Sequence, residues 1–338
     1  MTPGVGVEIP RLRPLARPPL GMTGWGGRGH LRRQGPHASI PRHPGALRPT
    51  SGGIVRPPPP EAPMSLSIVA LMIAAGALGG FVAGLIGIGG GVIFGPVLLF
   101  TFAGLGVSDP VLAPLTLGSS LLCTFAASAS GAVVQHKKGG IDPRTAWASG
   151  AAAAVAVVLM TLFVTTEPWY SRRVFQIVLG SVLVVVVARM LTKKPPRDEG
   201  LDASGARRGW PALIGTGAAA GVLSSAAGVG GGVILVPAFN SLVRLPLKMA
   251  AGTSTGAIVL ITASGVGIYA LLGLGAPVPE GALGYVHVPY ALALSAPAVL
   301  TARLGVSTAH RVNVKWVRWT FALVAAVAAY KLLSDALG

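Results

Sequence analysis

Beyond position 65 the chain is a succession of long apolar runs, with its charges gathered in the short stretches between them. The runs at 66–86, 111–134, 174–188, 211–229 and 249–272 read as spanning helices, since a bilayer asks for about 20 apolar residues per helix. The pattern predicts an all-α polytopic membrane protein. Two runs are interrupted by glycines: "GLIGIGGGVIFGP" from Gly84 to Pro96, and "SAAGVGGGVILVP" from Ser225 to Pro237. A glycine inside a helix costs roughly 1 kcal/mol relative to alanine. Two matched clusters therefore point to a task that needs bare backbone.

The clusters belong to a longer repeat. At an offset of 141, Gly87 pairs with Gly228, Gly89–Gly91 with Gly230–Gly232, and Pro96 with Pro237. At an offset of 134, Gly118-Ser119-Ser120 meets Gly252-Thr253-Ser254, and Ala129-Ser130-Gly131 meets Ala263-Ser264-Gly265. The chain thus divides into two homologous four-segment halves, 64–192 and 209–338, with a polar linker at 193–208. Each half is expected to open with a glycine-interrupted segment and continue with three plainer helices. The first interrupted segment, 66–102, has 37 residues, long for one crossing at about 1.5 Å per residue. It reads as one broken helix with an overhang, or as a pair of elements that enters and returns.

Basic residues separate these topologies. If each interrupted segment counts as one crossing, the core's basic residues divide 10 to 8 between the faces. If each returns to its starting side, 15 fall together in the loops 135–144, 189–208, 243–249 and 303–318, and only Arg172, Arg173 and Lys331 lie opposite. The second division obeys the positive-inside rule. It places both core termini outside and the central linker in the cytoplasm of a cell-membrane protein, and it makes the halves inverted repeats, a common transporter plan.

Composition adds two points. The chain is 52% hydrophobic and 11% charged, whereas soluble domains carry about 25% charged residues. Its net charge of +17 does not point to nucleic acid, because aromatics are sparse and the basic residues sit between apolar runs, where they suit anionic lipid. Residues 1–63 differ from the rest, with 14 prolines, nine arginines and no lysine. They contain no signal-like apolar core and are expected to be disordered. Met64 reads as the true start of the membrane core; the rival reading is a basic arm on lipid or a partner.

A break at Gly89, Gly90 and Gly91 followed by a helix over 92–102 would leave a helix N-terminus inside the membrane. Free N–H groups and a positive dipole end make such a terminus an anion site, and glycine lets an anion approach the backbone. Pro96 would stand in or near the first turn, where its missing N–H costs little. Gly228, Gly230, Gly231, Gly232 and Pro237 would supply a facing counterpart. The hydroxyls of Ser119, Ser120, Thr253 and Ser254 complete a candidate oxyanion site without a cationic side chain. The competing reading is that the glycines only pack helices, in a membrane assembly or partner subunit that transports nothing. Membrane hydroxyls also bond their own helix backbone in many cases.

Other chemistries find no support. Val92 and Val233 stand where a dinucleotide fingerprint needs its third glycine, and neither copy continues as a Walker loop. Cys123 is the single cysteine, so no internal disulfide or cysteine metal cluster is expected. No metal or cofactor is called for. No serine has a histidine base within its span. No Asp or Glu falls inside an apolar run, so the intramembrane carboxylate of many proton-coupled carriers is missing, and His136 and His287 sit near interfaces.

The paired "GIGGGVIFGP" and "GVGGGVILVP", the "GSS" and "GTS" in the following helices and the four-segment halves resemble the TauE/SafE sulfite exporters, also called the toluene-sulfonate uptake permease family. The resemblance covers 64–338. It implies a transporter of small anions such as sulfite or organosulfonates. By motif it carries the substrate role to Gly87, Gly89–Gly91 and Pro96, and to Gly228, Gly230–Gly232 and Pro237. Ser119 departs from the threonine more usual there, which stands at Thr253.

Overall fold

The computed structural model describes residues 65–165, 167, 169–192, 209–309 and 314–337. The Pro/Arg-rich stretch 1–63, the start expected at Met64 and the linker 193–208 lie outside the described residues. The elements are α1 Leu66–Ile86, α2 Gly91–Gly104, α3 Asp109–Lys137, α4 Pro143–Met160 continuing into a π turn Thr161–Thr165, and α5 Arg172–Thr192. There follow α6 Trp210–Ala227, α7 Gly232–Ser241, α8 Leu247–Leu272, β1 Ala282–Leu283, β2 Val286–His287, α9 Val288–Thr308 and α10 Val314–Leu337.

Among the described residues, five helices are long and apolar enough to cross a membrane: α1, α3, α4 with the start of its π turn, α8 and α9. Large apolar side chains such as Leu71, Ile73, Val155, Leu300, Leu304 and Val327 face outward, as lipid contact requires. The chain is a multi-pass helical membrane protein. With 14 and 10 residues, α2 and α7 reach only about 21 Å and 15 Å at 1.5 Å per residue, short of a hydrocarbon core of about 30 Å.

Local chemistry sets the helix ends. Ser65 caps α1, accepting from the Ile68 N–H. Prolines at the first turns of α3, α4, α6 and α9 give up no helix bond there. Asp109 opens α3 and His136 and Lys137 close it, matching the helix dipole. Gly87 and Gly228 end α1 and α6 in the left-handed conformation, with φ of 73° and 68°.

Packing is exchanged between the halves. The first helix of each half lies along the second plain helix of the other: α1 on α9, and α6 on α4. A glycine every fourth residue lets the backbones touch. A Cβ on Gly76, Gly80 or Gly84 would lie 2.0–2.3 Å from the carbonyl oxygens of Leu294, Ala298 and Ala302. Gly217 and Gly221 stand 2.2–2.3 Å by the same measure from the carbonyls of Ser149 and Ala153. This is small-residue membrane packing; Gly76 and Gly80 match Gly217 and Gly221 at the offset of 141, while Gly84 meets Ser225 there. The packing reading therefore holds for these glycines.

At the centre α3 packs on α8, in the opposite direction. Asp142, just past the end of α3, donates its N–H to Thr253 in the second turn of α8 at 2.9 Å. His287, past the end of α8, donates to Ser119 in the N-terminal half of α3 at 2.8 Å. Arg144 lies over Trp210 at 5.0 Å, gathering the starts of α4, α6 and α8 at one end of the bundle. Arg172 pairs with Asp109 at 3.7 Å and Lys331 lies 4.4 Å from the Phe100 ring, gathering the starts of α3 and α5 with the later turns of α2 and α10 at the other. Against α10, α5 forms the remaining pair.

The β1–β2 hairpin, with Ala282 opposite His287 and Leu283 opposite Val286, has no counterpart in the sequence reading. Two-residue strands are too short for any periodicity. The available signal is Gly281 and Gly284, both at positive φ; a Cβ on Gly284 would lie 2.0 Å from the Ala270 carbonyl.

Candidate functional site: the two helix breaks

Each interrupted segment gives up its helix between an αL glycine and a new N-terminus, after Ile86 and before Gly91, and after Ala227 and before Gly232. Gly89 and Gly230 hold φ of 83° and 80°, where a side chain costs about 1–2 kcal/mol. The second glycines of the two runs differ: Gly231 is left-handed with φ 78°, whereas Gly90 is right-handed with φ −79°. Gly91 and Gly232 are the first residues of α2 and α7. Pro96 and Pro237 therefore fall in the second turn, just past the first, because each helix begins directly at the third glycine of its run.

The breaks meet each other. A Cβ on Gly91 would lie 2.3 Å from the Gly228 carbonyl oxygen, and one on Gly232 would lie 2.3 Å from that of Ile88. The Thr124 methyl group spans the junction, within 3.1 Å of a Cβ placed on Gly89 or on Gly230. The first intrahelical donors are Ile93, to Gly90, and Ile234, to Gly231, at 2.9 and 3.0 Å. The N–H groups of Gly91, Val92, Gly232 and Val233 precede them and have no acceptor within their own helices. All four residues are buried.

The four candidate hydroxyls work between halves. Ser120 donates to the Gly228 carbonyl at 3.0 Å and Ser254 to the Gly87 carbonyl at 2.9 Å. Ser119 and Thr253 instead accept from the N–H groups of His287 and Asp142, the N-caps of α9 and α4. Sequence reasoning placed all four against substrate. In the fold, the protons of Ser120 and Ser254 are committed to carbonyl oxygens, while Ser119 and Thr253 keep theirs.

A polar cluster around the second break escaped the sequence reading. Tyr269 donates to the Ser225 carbonyl at 3.2 Å, Tyr170 donates to that of Ala226, and the Thr161 and Ser225 hydroxyls bond at 2.9 Å. Among the described residues the first break has no such set, and Ala83 and Gly84 stand at the positions matching Ser224 and Ser225. That mismatch inside a close repeat was the signal available. Among the described residues, no group of His, Cys, Asp or Glu is placed to hold a metal. Cys123 is buried, with its sulfur 3.4 Å from the Ala291 carbonyl, a packing position. His287 is buried against Phe102 and Tyr290.

The family model for "Sulfite exporter TauE/SafE" matches residues 72–332, covering both breaks and all the helices between. The chain belongs to the TauE/SafE family. Among curated proteins, a "Probable membrane transporter protein" of Haemophilus influenzae is 30% identical over 79% of this chain and 98% of its own length. A protein of Methanocaldococcus jannaschii with the same description is 25% identical over 75% of this chain and 91% of its own. One of Bacillus subtilis is 24% identical over 72% and 90%. No solved structure matches the chain.

In this TauE/SafE protein the exchanged hydroxyls make a direct prediction. Ser120→Ala and Ser254→Ala each strip a buried carbonyl of its donor, which costs about 1–3 kcal/mol. Both should lower the thermal midpoint, and by similar amounts, because the two bonds are counterparts. Thermal unfolding of the purified variants in detergent checks this; a loss in only one would show that the halves are not equally dependent on the exchange.

Proposed function

We infer from its family membership that the chain works as a membrane transporter. We propose that its substrate is a small oxyanion of the sulfite or organosulfonate type, moved outward across the cell membrane and held by backbone N–H groups at the paired breaks. The observation that carries this reading is the treatment of the two helix ends at each break. A broken helix presents a negative C-terminal end and a positive N-terminal end at the same depth. Here hydroxyl donors cover carbonyls at the C-terminal ends: Ser254 on Gly87, and Ser120, Tyr170 and Tyr269 on Gly228, Ala226 and Ser225. The N-terminal ends of α2 and α7 keep their N–H groups. A site of this composition favours an anion over a cation, and it holds the anion without a fixed countercharge that would slow release. Pro96 and Pro237 extend no further donor to it.

The same reading takes the halves as inverted repeats with the starts of α4, α6 and α8 at the cytoplasmic face. The opposed directions of α3 and α8 support the inversion. Lys137, Lys138, Arg144, Arg244 and Lys248 flank that end of the bundle and support the orientation. A negative interior then drives anions outward without a coupling residue in the spans.

Uptake of labelled sulfite, sulfate, thiosulfate, methanesulfonate and chloride into liposomes carrying the full chain tests the proposal. Saturable, potential-sensitive flux of sulfite or the sulfonate is expected. Folded, inserted protein that moves none of the five would leave an assembly or partner subunit as the better account.

A further inference from the structure

The two breaks match in sequence and, Gly90 and Gly231 apart, in backbone, but differ in surroundings. Among the described residues, the side chains of Ser128, Gln176 and Ser224 are buried and carry a polar atom without a hydrogen-bond partner, and Ser224 stands on α6 one turn before the second break. Ser224 is fully buried and Gln176 is 2% exposed. A buried polar atom without a partner costs stability unless water, an ion or a ligand meets it.

Their faces locate them. Ser224 shares a face of α6 with Ala220, one turn earlier, and Ala227, one turn later. Ala220 packs on the break itself: a Cβ on Gly231 would lie 2.8 Å from its carbonyl oxygen and 3.1 Å from its Cβ. The Ala227 carbonyl lies beside Gly95, where a Cβ would also meet Leu179 at 3.5 Å and the Ser120 hydroxyl at 3.8 Å. Gln176 stands one turn before Leu179 on the same face of α5. Tyr170, just before α5, reaches the Ala226 carbonyl. Gln176 therefore sits on α5 between Tyr170, which reaches the end of α6, and Leu179, which packs beside Gly95 of α2 where the Ala227 carbonyl also lies. At the first break Ala83 replaces Ser224, and the Phe94 ring fills the space beside Gly90, 2.2 Å from where a Cβ would be.

Resting on the anion reading above, we infer that the anion is held at the second break, at the N-terminus of α7, with the Ser224 hydroxyl and the Gln176 side-chain amide donating to its oxygens. The first break, where Phe94 stands beside Gly90, faces it and adds only backbone N–H groups. Donors converging from α5, α6 and α7 suit an anion with three oxygens spread around one centre, as in sulfite or a sulfonate head group. A spherical halide cannot engage them all.

The test measures half-saturation for sulfite and methanesulfonate, together with thermal unfolding, on the full chain and on Ser224→Ala, Gln176→Leu and the closer-shaped Gln176→Met. Expected is a rise in half-saturation of at least tenfold for the variants, with no fall in thermal midpoint, because neither side chain gives up a protein hydrogen bond. Added sulfite should raise the midpoint of the unaltered protein and not that of the variants. Transport by the unaltered protein with unchanged half-saturation in Ser224→Ala and both Gln176 variants would overturn the inference and leave ordered water as the partner of these groups. A lowered midpoint with unchanged half-saturation would likewise overturn it in favour of a packing role. Absence of saturable anion flux in the unaltered protein would instead sink the functional proposal, and this inference with it.

Discussion

Gly84→Leu is expected to leave almost no folded protein. The Cβ alone would stand 2.0 Å from the Ala302 carbonyl oxygen and 2.9–3.0 Å from its carbonyl carbon and Cα. The neighbour is helix backbone, so no side chain can swing aside. Gly84 is also the third glycine of the stripe Gly76, Gly80 and Gly84, and separating α1 from α9 at one point loosens the contact along the whole seam. Overpacking in a core costs about 1–3 kcal/mol where atoms can shift. Here the helices themselves must part, and the loss should exceed that range, a large share of the roughly 5–15 kcal/mol that holds a typical domain folded. Size-exclusion chromatography of detergent extracts reads the outcome as loss of the monodisperse peak. Gly104→Leu, where an added Cβ meets nothing within 4 Å, should elute like the unaltered protein. A normal peak for Gly84→Leu would show that α1 does not pack on α9 as described.

The second large effect is on flux. Gly89→Ala and Gly230→Ala place a methyl group at the junction of the two breaks, on backbone at positive φ. The strain costs about 1–2 kcal/mol, and the nearest atom is the Thr124 methyl at 3.1 and 2.8 Å, the tip of a side chain. Most of the protein should stay folded. If the N–H groups at the breaks bind the anion, both variants should lose at least tenfold in sulfite flux, with Gly230→Ala the more severe because it lies at the second break. Flux measured per folded, inserted molecule in liposomes decides the matter. Unchanged flux in both would mean that these glycines serve close approach of backbone and nothing more.

How much of this was legible beforehand differs by level. The helical class, the spanning runs at 66–86, 111–134 and 249–272 and the TauE/SafE resemblance were readable because they depend on composition, run length and local motif. The glycine runs drew attention for the same reason, since three consecutive glycines inside an apolar stretch oppose helix propensity wherever they occur. The stripe Gly76, Gly80, Gly84 was also in plain view, yet its spacing does not say which helix it meets. The hydroxyls misled in part. Ser119, Ser120, Thr253 and Ser254 were correctly singled out as paired positions, but a hydroxyl in a span says nothing of its acceptor, and each bonds to backbone in the opposite half. Tyr170, Gln176 and Ser224 were passed over because they lie on different elements, and no pattern along the chain brings them together.

By itself, then, the amino-acid sequence determined that this chain lies in a membrane as helices, that its features recur at fixed offsets, and that backbone is bared twice within apolar surroundings. These properties follow from hydrophobicity and local backbone energetics, which act over a few residues. Only the tertiary structure decided that the halves exchange helices and hydrogen bonds, that the two breaks touch, and that one is lined with polar groups while an aromatic ring fills the other. Those outcomes depend on contacts between residues far apart in the chain, 44 positions for Tyr269 and Ser225 and 167 for Ser254 and Gly87, set by which helix faces approach one another, and no local preference encodes that choice.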